Sequence, residues 1–244
     1  MSTPPLFHVE TDQLHADTVV LDGPEGRHAA RVRRLTPGER VFLADGRGLR
    51  ALCEVTAVDR DTVSCAVLER AEEARSRPWL VVVQALAKGD RAEQAIETMT
   101  EVGVDEIVPW QADRCVVRWR DDRVAKSTAR WRTTAAAAAK QARRAWTPVV
   151  AEVAETADVA RRVSAAALAV VLDAEGAPPT DLAVPADGEV VLVVGPEGGL
   201  TADEMGTLLD AGARCLRLGP TVLRSATAGT VAAATVLARS PRWA

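Results

Sequence analysis

The sequence predicts an α/β protein in two parts, a small N-terminal β-barrel followed by a larger domain with a mainly parallel sheet. Two patterns carry this. Up to about residue 73, short apolar runs alternate with turn signals at close, even spacing, as in small antiparallel barrels. Beyond residue 78, near-continuous runs such as VVV, AVVL and VVLVV alternate with helical stretches. Runs of that kind mark strands buried on both faces, which requires helices on either side of a parallel sheet.

In the first part, strands are expected at residues 18–21, 41–44, 49–58 and 62–68, with turns at Gly38-Glu39 and Asp45-Gly46. A Glu/Arg-rich stretch, 69–78, reads as the linker, giving domains 1–73 and 78–244. The second part reads as strand 79–86, helix 91–102, strand 106–110, a long helix 121–145, strands 168–172 and 189–194, helix 202–211, strand 215–218 and a final helix 225–238. The alanine run 135–139 needs no explanation beyond helix propensity.

Composition removes several function classes. With 48% hydrophobic and 26% charged residues, the chain is expected to bury a core as an ordinary globular protein does. No run of about 18 apolar residues suggests a membrane span, and the N-terminal residues lack a signal-peptide pattern. A cytoplasmic protein is expected. Cys53, Cys65, Cys115 and Cys215 are scattered without a CxxC pair, and His8, His15 and His28 all lie near the start; neither a metal site nor a disulfide framework is indicated.

Charge is segregated along the chain. Between Arg114 and Arg144 there are ten Lys and Arg against Asp121 and Asp122, net +8, whereas 151–211 carries net −10. Such asymmetry suggests a footprint for a polyanion; a solvated helix face is the alternative. Trp119, Trp131 and Trp146 interleave with the cations, either as stacking groups or as core.

Chemistry concentrates after the last two predicted strands. Gly195-Pro196-Glu197-Gly198-Gly199-Leu200 follows a buried strand, and Thr201 with Glu204 has capping-box spacing, so a helix starts there. A Gly-rich turn at the carboxyl end of a strand lets backbone approach a ligand, but it is also how a tight structural turn is made. The pattern is neither GxGxxG nor GxxxxGK[ST]. A second loop, 219–228, reads Gly-Pro-Thr-Val-Leu-Arg-Ser-Ala-Thr-Ala and opens into a small-residue helix.

These two loops resemble those of SPOUT RNA methyltransferases, and the resemblance narrows to the ribosomal small subunit methyltransferase E family. It is carried by Lys88-Gly89-Asp90-Arg91 with Glu93 and Thr100-Glu101-Val102-Gly103, by Pro109 with Arg114, by Gln141 with Arg144 and Pro148, and by 194–200 with 216–228. Arg27-His28, Arg31 to Arg34 and Gly38-Glu39 look like the family's PUA-like barrel. The resemblance covers nearly the whole chain. It implies a C-terminal α/β trefoil-knot domain, S-adenosylmethionine as cofactor and a homodimer. The implied reaction is methylation of N3 of a uridine in 16S ribosomal RNA, uridine 1498 in the usual numbering, on free RNA or the assembled small subunit.

On that resemblance, Leu172, Gly195, Pro196, Glu197, Gly198, Leu218, Gly219, Leu223 and Ser225 are expected around the cofactor. Arg224 is expected at the reacting base, stabilising the uracil anion or a phosphate, with a salt bridge at the helix start as its structural alternative. Glu197 faces the sulfonium or favours the following helix dipole. Arg31, Arg33, Arg34, Arg114, Lys140, Arg143 and Arg144 are expected on RNA. Two positions depart from the family pattern, Ala226 and Lys140, each where glutamate is usual. They keep open a non-catalytic RNA-binding assembly factor. A ribose 2′-O-methyltransferase is disfavoured by Leu223-Arg224-Ser225 where Asn after Ser-Leu would be expected.

Overall fold

The computed structural model describes residues 3–243, which divide into two compact units. The first comprises residues up to Arg75 together with Ala139–Thr147; the second comprises Ser76–Ala138 and Pro148 onward. The domain division read from the sequence, 1–73 and 78–244, therefore needs one change. The segment 139–147 packs with the N-terminal part, tied there by Gly48 N–H to Ala145 O (3.1 Å), Thr147 N–H to Gly46 O (2.9 Å) and Trp146 Nε1–H to Glu73 O (2.8 Å).

In the first unit, strands β1 (Leu6–His8), β2 (Thr18–Leu21), β3 (Arg40–Ala44), β4 (Leu49–Val58) and β5 (Val63–Glu72) form one sheet in the order β1-β3-β4-β5-β2. All neighbours are antiparallel except β1 and β3. Alternation places Ala51, Cys53 and Val55 of β4 and Val63 and Cys65 of β5 inward, against Phe7, Leu14, Val41 and Leu43. Burial pushes the Cys53 and Cys65 thiols up to about 12 and about 11, so both are packing groups. Three features escaped the sequence. β1 is only three residues long; a short helix, α1 (Gly23–Arg27), continues into a π-helical turn (His28–Val32); and β5 runs on through Glu72. Residues 69–72 pair with 49–52, so the first four residues of the charged stretch expected to be linker are strand.

The second unit is built on a six-stranded, all-parallel sheet. Its strands are β6 (Trp79–Ala85), β7 (Glu106–Trp110), β8 (Val149–Val150), β9 (Leu168–Ala177), β10 (Glu189–Val194) and β11 (Arg214–Leu216), in the order β11-β9-β10-β6-β7-β8. Leu80 to Val83 and Val190 to Val193, in register, are at most 1% exposed, as two-sided burial demands. The helices are α2 (Asp90–Val102), α3 (Asp122–Gln141), α4 (Thr156–Ala165), α5 (Ala202–Asp210) and α6 (Ser225–Leu237). α4 was not anticipated: only Val159 and Val163 are buried on it, too few for a clear period. α3 ends at Gln141, short of the expected 145, where Arg143 turns the chain at φ 57°.

One close approach shapes the sheet's edge. β9 outruns its expected end because β11 pairs with it twice, first at Val170 and Val171 and, past a bulge, at Ala177. At Gly176 a Cβ would lie 2.5–2.7 Å from the backbone of Leu216, so only glycine lets the two strands meet there. α6 is likewise drawn close at Gly229, where a Cβ would sit 2.9 Å from Met99 Sδ of α2 and 3.4 Å from Val82 Cγ1 of β6.

Candidate functional site

In a parallel sheet, the loops after neighbouring strands open at the same edge, and a crevice forms where they part. Here the middle of β9 and the loops after β10 and β11 surround a cavity of about 470 Å³ together with the start of α6. Leu172 and Asp173 come from β9 itself, Val194 to Glu197 with Gly199 and Leu200 from the end of β10 and its loop, and Leu216 to Arg224 from the end of β11 and its loop; Ser225 and Ala228 close it from α6.

The second loop is held in shape by its own sequence. Gly199 has φ 71° and its N–H closes a turn on Pro196 O at 2.9 Å. Thr201 caps α5: its Oγ accepts from Glu204 N–H (3.2 Å), and Glu204 Oε2 accepts from Thr201 N–H (2.9 Å). Glu204 is 3% exposed, and its other oxygen accepts from Asp113 N–H at 2.8 Å. One residue along, Arg114 Nη1 donates to Gly198 O (3.2 Å) and Leu200 O (3.1 Å). The loop after β7 thus braces the loop after β10 from outside the cavity.

Of the residues expected around a cofactor, Leu172, Gly195, Pro196, Glu197, Leu218, Gly219, Leu223 and Ser225 border the cavity. Gly198 does not. It faces Arg114, whose Cβ would lie 3.2 Å from a Cβ built at Gly198. Its small size serves the Arg114 brace, and Gly195, packed against Leu200 at 3.0 Å from a would-be Cβ, shapes the wall instead. Asp173, Arg217, Thr221 and Val222 also line the cavity, beyond the residues expected there; their one sequence signal is that they stand beside Leu172, Leu218 and Leu223 in the same segments. Leu172, Leu218 and Leu223 supply half-buried apolar surface. Asp173 and Glu197 stand against Arg217 and Arg224, so charge is balanced around an apolar wall. Burial, then the nearby Asp173, raises the pKa of Cys215 behind it.

Arg224 is exposed at the N-cap of α6, its carbonyl accepting from Thr227 N–H (2.8 Å) and Ala228 N–H (2.9 Å). Among the described residues it forms no ion pair, so the salt bridge considered for it is not made.

The basic residues fare differently. Lys140 Nζ pairs with both oxygens of Glu25 (2.8 and 2.7 Å) and lies 5.1 Å from the Phe7 ring centre, all within the first unit. Arg31 pairs with Asp61 at 2.6 Å. Arg130 pairs with Glu93, and Arg132 with Glu152 at 2.7 Å. Trp119 and Trp131 are buried edge to face at 5.2 Å, which makes them core. Arg33, Arg34 and Arg143 remain exposed, while Arg144 is half-buried. Arg34, like Arg143, has left-handed backbone, at φ 53°.

Comparison with known proteins now decides the family. Residues 74–237 match the RNA methyltransferase domain family, and residues 21–68 match the RNA methyltransferase PUA domain. The chain belongs to this RNA methyltransferase family. It is 45% identical over 98% of its length, and 93% of the relative's, to a Mycobacterium tuberculosis protein named ribosomal RNA small subunit methyltransferase E. A Bacillus subtilis protein of the same name is 32% identical, with 87% of each chain covered. Among solved structures, a ribosomal RNA small subunit methyltransferase E from Neisseria gonorrhoeae, bound to S-adenosyl methionine, superposes with a TM-score of 0.81 at 25% identity, covering 97% of this chain and 98% of that one. The RNA methyltransferase domain match takes in every loop around the cavity, and the PUA match falls on the five-stranded sheet.

Proposed function

We propose that this protein transfers the methyl group of S-adenosylmethionine to N3 of one uridine of 16S ribosomal RNA, uridine 1498 in the usual numbering. The cavity at the strand ends carries the reading, because its residues fit the cofactor. Its volume lies within the roughly 300–1,000 Å³ of small-molecule pockets. Leu172, Leu218 and Leu223 offer apolar surface to a purine, the glycines at 195 and 219 expose backbone groups to polar edges, and Asp173 and Glu197 are the carboxylates in the lining that would favour a cationic sulfonium.

When bound, the cofactor supplies an electrophilic methyl on a sulfonium. The chain's share is placement and charge. Uracil N3 is nucleophilic only as the anion, whose charge spreads onto O2 and O4. Arg224, at the cavity mouth and free of ion pairs among the described residues, is the cation to favour that anion. Exposed Arg33, Arg34 and Arg143 of the first unit are the cations available to RNA phosphates. Arg144 is a further candidate though it too has a partner, and Arg31, Arg114 and Lys140 serve other partners first.

The same reading includes the trefoil knot and the homodimer. β11 adds to the sheet edge beside β9 while α6 returns to pack on α2, β6 and β10, a packing compatible with a knotted chain. Ala228, Gly229, Ala232 and Ala233 of α6 are used within the unit, which leaves the side carrying Val231, Ala234 and Thr235 for a second copy. No helix among the described residues is long and apolar enough to cross a membrane, in keeping with work on ribosomal RNA in the cytoplasm.

The test is to incubate the full chain with small subunits, or with 16S RNA alone, and isotope-labelled S-adenosylmethionine, then digest the RNA for mass spectrometry. One labelled 3-methyluridine at a single position is expected. Label on a ribose 2′-oxygen, on another base or on none overturns the proposal.

A further inference from the structure

Gln84 is a polar residue where none is needed for packing. It is the last residue but one of β6, 1% exposed among Val82, Met99 and Gly229, in a strand whose other residues are all apolar. Its Nε2 donates to Ser225 Oγ at 2.9 Å and to Ala85 O at 3.2 Å. Its Oε1 has no hydrogen-bond partner among the described residues. The Ala85 carbonyl fixes which way the amide faces, since the reversed amide would set oxygen against oxygen. A methionine would fill the same space with no orphaned acceptor, so the contact that sets the amide apart is the one it makes outside its own strand, to Ser225.

That contact has a directional consequence. Ser225 is 8% exposed, begins α6 and borders the cavity. With its oxygen accepting from Gln84, its own proton must point elsewhere, and among the described residues no acceptor takes it. The first-turn N–H groups of α6 lie beside it.

We propose that Gln84 is a positioning residue: its amide holds the Ser225 hydroxyl as a hydrogen-bond donor into the cavity, toward an acceptor oxygen of the bound molecules. That oxygen belongs either to the carboxylate of the cofactor's aminoacyl tail or to a carbonyl of the target base. The inference rests on the assignment of the cavity to S-adenosylmethionine.

Replacing Gln84 by glutamate tests it, because the two side chains have nearly the same shape and opposite polarity. A carboxylate accepts the Ser225 proton and takes it from the cavity. Titration calorimetry on the full chain compares the wild type with Gln84→Glu, Gln84→Met and Ser225→Ala. The ligands are S-adenosylhomocysteine and 5′-methylthioadenosine, which lacks the aminoacyl tail. A wild type that binds neither sinks the cofactor reading, whatever Gln84 does. If the oxygen is on the tail, Gln84→Glu and Ser225→Ala each lose roughly tenfold in affinity for S-adenosylhomocysteine and nothing for 5′-methylthioadenosine. If it is on the base, both ligands bind as before and turnover falls by that factor at unchanged KM for the cofactor.

In either case the Gln84→Glu defect, taken relative to wild type at each pH, should shrink as pH falls. The buried carboxyl then protonates and donates to Ser225 again. Gln84→Met, which keeps the volume and frees the hydroxyl to turn, should show a smaller, pH-independent loss, and it serves if the glutamate variant does not fold. Folded Gln84 variants with wild-type binding and turnover at pH 8 would overturn the inference. So would a Gln84→Glu defect that does not change with pH.

Discussion

The loops around the cavity and the basic stretch 114–144 are the two most conspicuous segments of the chain, and the fold uses them in opposite ways. The segments that line the cavity lie far apart in sequence, at 172–174 in β9 and at 194–200 and 216–225 after β10 and β11, yet converge on one space. The basic stretch is contiguous and disperses: Arg114 braces a loop, Arg118 donates to Asp113 O at 2.8 Å, Arg130 and Arg132 meet carboxylates, and Lys140 belongs to the other unit. Position at the carboxyl end of a buried strand is thus a stronger sign of a site than charge density. Strand ends are gathered by the sheet's hydrogen bonds, whereas successive residues of a helix point all around it.

The largest effect that would break this contrast is expected at Gly176. A Gly176→Ala change sets a methyl against the Leu216 backbone, which cannot yield without parting β9 from β11. A loss of about 1–3 kcal/mol is expected, read as a lower midpoint in urea, with weakened cofactor binding because β9 and the loop after β11 both line the cavity. Unchanged stability would mean that the strands do not pair there.

Arg114 comes next. Arg114→Ala should weaken S-adenosylhomocysteine binding by several-fold, since two carbonyls of the cavity loop lose their donor, and should leave the salt dependence of RNA binding unaltered. A change in salt slope with intact cofactor affinity would return Arg114 to the RNA surface. The opposite signature is expected for Arg33 and Arg34 changed together to glutamate. Affinity for RNA falls and the log-log salt slope flattens by about 0.7–0.9 for each phosphate no longer neutralised, with cofactor affinity unchanged. Intact RNA affinity and slope would make these arginines solvated surface charge.

The smallest effect belongs to Lys140. Its pair with Glu25 is partly screened, with side-chain exposures of 21% and 29%. Lys140→Ala should therefore cost on the order of 1 kcal/mol in denaturant titration, mainly by leaving Glu25 unpaired, and should not change RNA binding. A clear loss of RNA affinity without loss of stability would reverse this assignment.

Much of this was legible in the amino-acid order. The parallel sheet followed from the apolar runs, because only two-sided burial tolerates four consecutive residues such as Leu80 to Val83. The Thr201 and Glu204 cap followed from spacing, because capping is local. The cavity's glycines followed from their place after strands, and the family from motifs strung in order along the chain. Tertiary structure alone decided the rest. Nothing local reveals that 139–147 closes on the first unit, that Gly198 faces Arg114 in place of a ligand, that Lys140 finds Glu25 across 115 positions, or that Gln84 reaches Ser225 across 141. Each depends on which distant backbone the sheet brings near. A sequence records the chemistry of a side chain, but its partner is chosen by the fold.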